Sequence, residues 1–356
     1  MQAQLGVEGE ESAPVPEQQL LRRLRFKFTG NAREYFRIWI VNTLLTIVTL
    51  GVYSAWARVR TKQYFYRHTR LNGSSFDYLG DPRVILKGHI IAAAIGGVLL
   101  ATQYYSRPLY LAAAAVLALL LPWLMLKAWA FNAHNSTYRN IRFAFTAKVG
   151  ESYREYLKVL LWLVLTCGAA QPYARWRLTK FALSRFRYGN VQPSWSTRPG
   201  EYFKTYLLGL GLVLPLYAVL LYAIVRTMKH EADLSSWRLW VATALFNLVL
   251  LVPFSFVKAR LTNHLLGGIG FNQHRLISKQ KGLALLRLYA VNLLAITLSA
   301  GLLIPWAMVR LARYRAESLR LLAAGPLFVR AGAQKEPTAV AEGFVDVGGF
   351  DVDFGW

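Results

Sequence analysis

The chain has 356 residues, 55% of them hydrophobic, and carries 42 Lys and Arg against 18 Asp and Glu for a net charge of +24. A soluble domain of this size rarely combines the two, and long apolar runs separated by basic loops instead describe a polytopic membrane protein. The lone cysteine, Cys167, excludes an intrachain disulfide and a Cys-based metal site, and inside an apolar run it reads as a small buried core residue.

Residues 1–24 read as an acidic, disordered tail containing Glu8, Glu10, Glu11 and Glu17. Residues 25–335 form the membrane domain. Residues 336–356 form a second acidic tail, expected to fold over the basic body as an internal competitor for lipid. Seven apolar segments follow in order, at about 38–57, 84–105, 108–131, 157–174, 203–225, 237–257 and 288–309. Six are long enough to span a hydrocarbon core of ~20 residues, while 157–174 is short. "SAWA" at 54–57 looks like a signal-peptidase site, but its segment has a near copy at the far end of the chain, so it is read as mature protein. Short strands are expected at "RFKFTG" (25–30) and "RFAFTA" (142–147), and a hairpin at "RLNGSSFDYLG" (70–80).

A degenerate unit recurs five times. Trp56, Trp123, Tyr173, Phe254 and Trp306 align. Four residues on stand Arg60, Lys127, Arg177, Lys258 and Arg310, and four further on Tyr64, Phe131, Phe181, Thr262 and Tyr314. Pro122, Pro172, Pro253 and Pro305 precede the first aromatic, with Ala55 in the first copy. Positions i, i+4 and i+8 share one side of a helix. An aromatic, a cation and an aromatic there suit a membrane boundary, where rings sit at headgroup level and Arg or Lys snorkels toward phosphate. Proline is expected to bend the helix as it leaves the bilayer, so that its basic-aromatic extension lies along the surface. The fold class is therefore an α-helical polytopic membrane protein built from repeats of apolar helix, basic-aromatic helical extension and short β element.

Charge leaves the topology open. If all seven segments span, Lys and Arg divide 20 to 22 between the two sides, which is no bias. If segments 38–57, 157–174 and 288–309 enter and return, or lie at the interface, the division becomes 38 to 4. The breakers "TLGVYS" (49–54), "CGAAQP" (167–172) and "SAGLLIP" (299–305) permit such returns. An antiparallel homo-oligomer of dual topology is a third arrangement without bias.

The stretch "FKFTGNAREYFRIWIVNTLLTIVTLGVYSAWARVRTKQYFYRHTRLNGSSFDYLGDP", together with "HNSTYRNIRFAF" at 134–145 and the ending "FVDVGGFDVDFGW", resembles the YjgN-like inner-membrane proteins of bacteria. The resemblance runs from about residue 24 to the end. It implies a multi-pass protein of the bacterial inner membrane and brings no catalytic residues. Unit four, with Thr262, departs most from the pattern.

The six histidines lack metalloenzyme spacing, so neither metal nor cofactor is expected. Lys87 and His89, at the head of the second apolar run, could point into the bundle. Asn42, Asn247 and Asn292 lie within apolar segments and need partners there. The expectation is a non-enzymatic protein that engages anionic phospholipid headgroups through Trp56, Arg60, Tyr64, Trp123, Lys127, Phe131, Tyr173, Arg177, Phe181, Lys258, Trp306, Arg310 and Tyr314. Nucleic acid is not expected as a partner, because the basic clusters abut apolar runs. The alternative is a transporter or channel for a small anionic solute.

Overall fold

The computed structural model describes residues 22–230 and 241–324, except 242, 244, 245 and 247. One β-α-α-β unit occurs five times along them. The first unit is β1 (Arg22–Phe28), α1 (Ala32–Val48), α2 (Ser54–His68) and β2 (Thr69–Leu71). The second is β3 (Ser74–Tyr78), α3 (Pro82–Tyr105), α4 (Arg107–Asn135) and β4 (Ser136–Tyr138). The third is β5 (Ile141–Phe145), α5 (Val149–Leu165), α6 (Gln171–Arg185) and β6 (Phe186–Tyr188). The fourth is β7 (Ser194–Trp195), α7 (Pro199–His230), α8 (Leu251–Gly267) and β8 (Ile269–Phe271). The fifth is β9 (His274–Ser278), α9 (Gly282–Leu298), α10 (Ile304–Glu317) and β10 (Leu319–Ala323).

The β elements are not separate hairpins. They join in one ten-stranded antiparallel meander, in which β1 pairs with β10. The sheet is open between β6 and β7, which residues 189–193 connect with a bridge from Tyr188 to Val191. Tight turns drive the meander. Asn72-Gly73 and Arg139-Asn140 both hold positive φ, as a two-residue turn matched to strand twist requires. Strand β1 takes in Arg22 to Leu24 of the stretch assigned to the amino-terminal tail, because Arg22–Arg25 pair with Arg320–Ala323. Alternation in "RRLRFKF" buries Phe26 and Phe28 and leaves Arg23, Arg25 and Lys27 outside. The concave side encloses a cavity of about 460 Å³.

The helices close into a ring as well. Each packs on its neighbours in chain order, and α10 packs on α1. Among the described residues three helices are long and apolar enough to cross a membrane, over Pro82–Tyr105, Arg107–Asn135 and Pro199–Arg226. Three of the seven apolar segments are not continuous helices. The runs 38–57, 157–174 and 288–309 break at residues 49–53, 166–170 and 299–303 into the hairpins α1–α2, α5–α6 and α9–α10.

The three breaks share one geometry. Leu50, Cys167 and Ala300 have φ of 48°, 48° and 49°, and the glycines that follow have φ of 92°, 88° and 91°. Each glycine amide donates back to the carbonyl five residues earlier, at 2.8, 2.7 and 2.8 Å. The hydroxyls of Thr49, Thr166 and Ser299 accept the amides of Tyr53, Ala170 and Leu303 at 2.9, 2.9 and 3.0 Å, which starts the returning helix. Pro172 and Pro305 therefore open new helices, where their missing amide costs nothing, instead of bending continuing ones. The basic-aromatic extensions each lead into a strand of the sheet. Cys167 is exposed at a hairpin tip and is not a core residue. Residues 1–21, 325–356 and Asn247 lie outside the described set.

Gly168→Ala and Gly301→Ala are each expected to destabilise the protein by ~1 kcal/mol through the left-handed φ. Gly96→Ala, in open space within α3, should be neutral or stabilising. Thermal unfolding of the detergent-solubilised variants checks the contrast.

Candidate functional site

The repeat turns a sequence spacing into a tier. Arg60, Lys127, Arg177 and Arg310 each stand nine residues before the strand that follows their helix, and Lys258 stands eleven before β8. Nine helical residues rise ~13 Å, so five cations lie at similar height above the sheet, all on the second helix of their unit.

Their surroundings differ. Arg60 is exposed, with its guanidinium 5.7 Å from the Tyr53 ring centroid. Arg177 donates to both carboxylate oxygens of Glu155, at 2.6 and 3.3 Å, and to the Tyr173 hydroxyl at 2.5 Å. Burial is the largest single effect on the Glu155 carboxyl and raises it, but the hydrogen bonds and charges of Arg177 and Lys158 together outweigh burial and hold the group below the usual carboxylate range. Arg310 lies 4.4 Å from the Trp306 centroid and donates to Asn292 Oδ1 at 3.1 Å. Lys127 and Lys258 are half-buried.

The aromatic positions divide by role. Trp56, Trp123, Tyr173 and Trp306 are half-buried, and Phe254 is exposed. Tyr64, Phe131 and Phe181 are buried in the protein, not turned to a boundary. The Tyr64 hydroxyl accepts the Asn31 amide at 2.8 Å and donates to the Asn31 carbonyl at 2.9 Å, latching the end of α2 to the start of α1. Burial pushes this phenol up to about 12, which keeps its proton in place. Tyr314 makes the same latch on Lys281, at 2.8 and 3.2 Å. Thr262 is half-buried at the corresponding position of α8.

The polar residues within the apolar segments also separate. Lys87 is exposed on α3 and does not point into the bundle, while His89 is half-buried with Nδ1 3.3 Å from Ser54 Oγ. Asn292 is buried between Arg310 and the Ala307 carbonyl, to which it donates at 3.3 Å. Asn42, its counterpart in unit one, is equally buried, yet neither side-chain polar atom has a partner.

Sequence reasoning missed the outer face of the sheet. Arg23, Arg25, Lys27, Arg70, Arg142 and Arg275 are all exposed there. Arg25 faces Arg320 and Lys27 faces Arg70 directly across strands, contacts that are unfavourable without an anion nearby. The signal was present in "RRLRFKF", whose polar members are all cations. It acquires meaning only when the strands share a sheet. Among the described residues no group of three or more His, Cys, Asp and Glu could hold a metal.

Residues 23–347 match a family model described as "Bacterial protein of unknown function (DUF898)". Over 141 residues, 39% of this chain, the sequence is 29% identical to the inner membrane protein YjgN of Salmonella typhimurium, of which the match covers 36%. Over 53 residues, 15% of this chain, it is 47% identical to YjgN of Escherichia coli K12, of which the match covers 13%. The matches thus span about a third or less of these relatives' lengths. No solved structure matches the chain.

Arg310→Met leaves the buried Asn292 carbonyl oxygen without its donor and should cost ~1–3 kcal/mol. Arg60→Met breaks no such bond and should stay within about 0.5 kcal/mol. Equal losses in thermal unfolding would remove the distinction.

Proposed function

Because the chain belongs to the DUF898 family of bacterial proteins of unknown function, and its curated relatives are inner membrane proteins, we propose that it is a non-enzymatic, multi-pass protein of the inner membrane that engages anionic phospholipid headgroups through its basic tier. The observation that carries this reading is the tier itself: a cation nine residues above the sheet in four of five units.

Depth supports it. The tips of the short hairpins are apolar and open, with Leu50 95% exposed, Leu298 79% and Leu165 66%. From Ser54, where α2 begins, to Arg60 is six residues, or ~9 Å of helix, about a third of a hydrocarbon core of ~30 Å. Helix α3, with 24 residues, reaches ~36 Å. On this reading the three short hairpins enter one leaflet and return, while the long helices cross. Their cations then meet the headgroups of the leaflet nearest the sheet, each gaining ~1 kcal/mol beside anionic lipid. Membership of one sheet favours a single side for every β element. That side holds 38 Lys and Arg against 4, so the positive-inside rule makes it cytoplasmic. Transport of a small anionic solute is the second reading, favoured by the closed ring of helices. It predicts solute flux in vesicles that Arg60→Gln abolishes.

Topology is tested in a Cys167→Ala background with single cysteines at Asn72, Asn190, Asn272 and Ser106. An impermeant thiol reagent on intact cells should label Ser106 and spare the other three. Labelling of Asn72 but not Asn190 would overturn the one-sided arrangement. For headgroup binding, protein purified in mild detergent should retain anionic phospholipid over zwitterionic. Arg60→Gln with Lys127→Gln should lower that retention several-fold, as losing two charge contacts requires. Retention equal to the parent's would overturn the headgroup role.

A further inference from the structure

The cavity inside the curled sheet is a separate feature from the tier. Side chains from β1 to β6 and β8 to β10 face it, and helices α2, α4, α6, α8 and α10 roof it. Its walls are aromatic and aliphatic, with Phe26, Phe65, Phe76, Tyr138 and Leu321 among them. Packed interiors rarely leave voids larger than a water. An opening of about 460 Å³ therefore departs from ordinary core packing and falls within the ~300–1,000 Å³ of small-molecule sites. Apolar cavities of ~150 Å³ stay dry and take up apolar ligands, so water is a poor filling here.

Shape and charge narrow the ligand. Along α10 the lining runs from Met308 through Leu311, Ala312 and Arg315 to Leu319 and Leu321 on β10. That path is on the order of 20 Å long, which suits an extended chain. The charged lining residues are Lys62, Arg187 and Arg315, with His274 beside them and no Asp or Glu. Lys62 Nζ is held by Asn132 Oδ1 at 2.7 Å. Two lining residues carry buried polar atoms without a partner: the Nε1 donor of Trp129, itself only 6% exposed, and His274 Nδ1. A buried indole N–H left unpaired is costly and signals an acceptor still to arrive.

We propose that the cavity binds a single-chain anionic amphiphile. Its acyl chain lies among the aromatic walls, and its carboxylate or phosphate head meets Lys62, Arg187 and Arg315. The inference rests on the membrane reading only for the source of the ligand, since the roof helices lead from the apolar hairpins into the cavity.

The full chain in nanodiscs is photolabelled with a diazirine analogue of palmitate, and labelled peptides are mapped. Label is expected on residues 65–78, 138–143 and 319–321, displaced by excess palmitate or lysophosphatidylglycerol but not by methyl palmitate. Whichever displaces better identifies the head as carboxylate or phosphate. Lys62→Gln with Arg315→Gln should weaken displacement about tenfold. Leu321→Trp should abolish cavity label by filling the space, and the charge variant stands if that substitution fails to fold. Label confined to hairpin tips such as Leu50 and Leu165, or cavity label equally displaced by methyl palmitate, would overturn the proposal. Arg60→Gln with Lys127→Gln should leave cavity label unchanged, which separates this outcome from failure of the headgroup reading.

Discussion

The pairing of β1 with β10 ties the first unit to the last, and the ring depends on it. Its register sets Arg25 opposite Arg320 and Leu24 opposite Leu321. The like charges oppose the pairing, and the apolar inner face favours it. A slip of one residue would turn Arg25 and Lys27 into the cavity and Phe26 and Phe28 out to water. Burial of two phenylalanines, worth several kcal/mol in all, fixes the register despite the arginines. With β1 and β10 joined, α10 comes against α1 and the helices close into a ring.

Within that ring one scaffold is used at two lengths. The short hairpins turn on a hydroxyl residue, a left-handed residue and a glycine, with hydrogen bonds that agree closely among the three. The turn satisfies the carbonyls ending one helix and the amides starting the next, leaving little unpaired backbone at an apolar tip. Helices α3 and α4 instead meet at Ser106 with Pro108 just beyond, after 24 and before 29 residues of helix. Length, not composition, separates the short hairpins from the helices long enough to cross a membrane.

Equivalent positions have diverged in their partners. Arg177 is bound to a carboxylate, Arg310 to an amide, and Arg60 stacks only on Tyr53. Asn292 is satisfied and Asn42 is not. The five cations share a height but differ in electrostatic cost, so the tier is uneven around the ring. Unit one holds its cation most openly and leaves a buried amide beside the same helix pair. The cavity draws its own cations from α2, β6 and α10.

The sequence by itself determined the five-fold repeat, the cationic position in each unit, the β character of the linking elements and the breaks at 49–54, 167–172 and 299–305. These are local matters of spacing, alternation and glycine or hydroxyl chemistry, which a single strand of text carries. Family membership was equally legible, because the first unit holds its motif without gaps. Tertiary structure alone decided that the β elements form one sheet, since β1 and β10 lie some three hundred residues apart and no local signal pairs them. It also decided that Tyr64, Phe131 and Phe181 turn inward, that Lys87 turns outward, and that Cys167 sits exposed at a tip. Each depends on which face of a helix meets a neighbour, and that face is fixed only once the ring has closed.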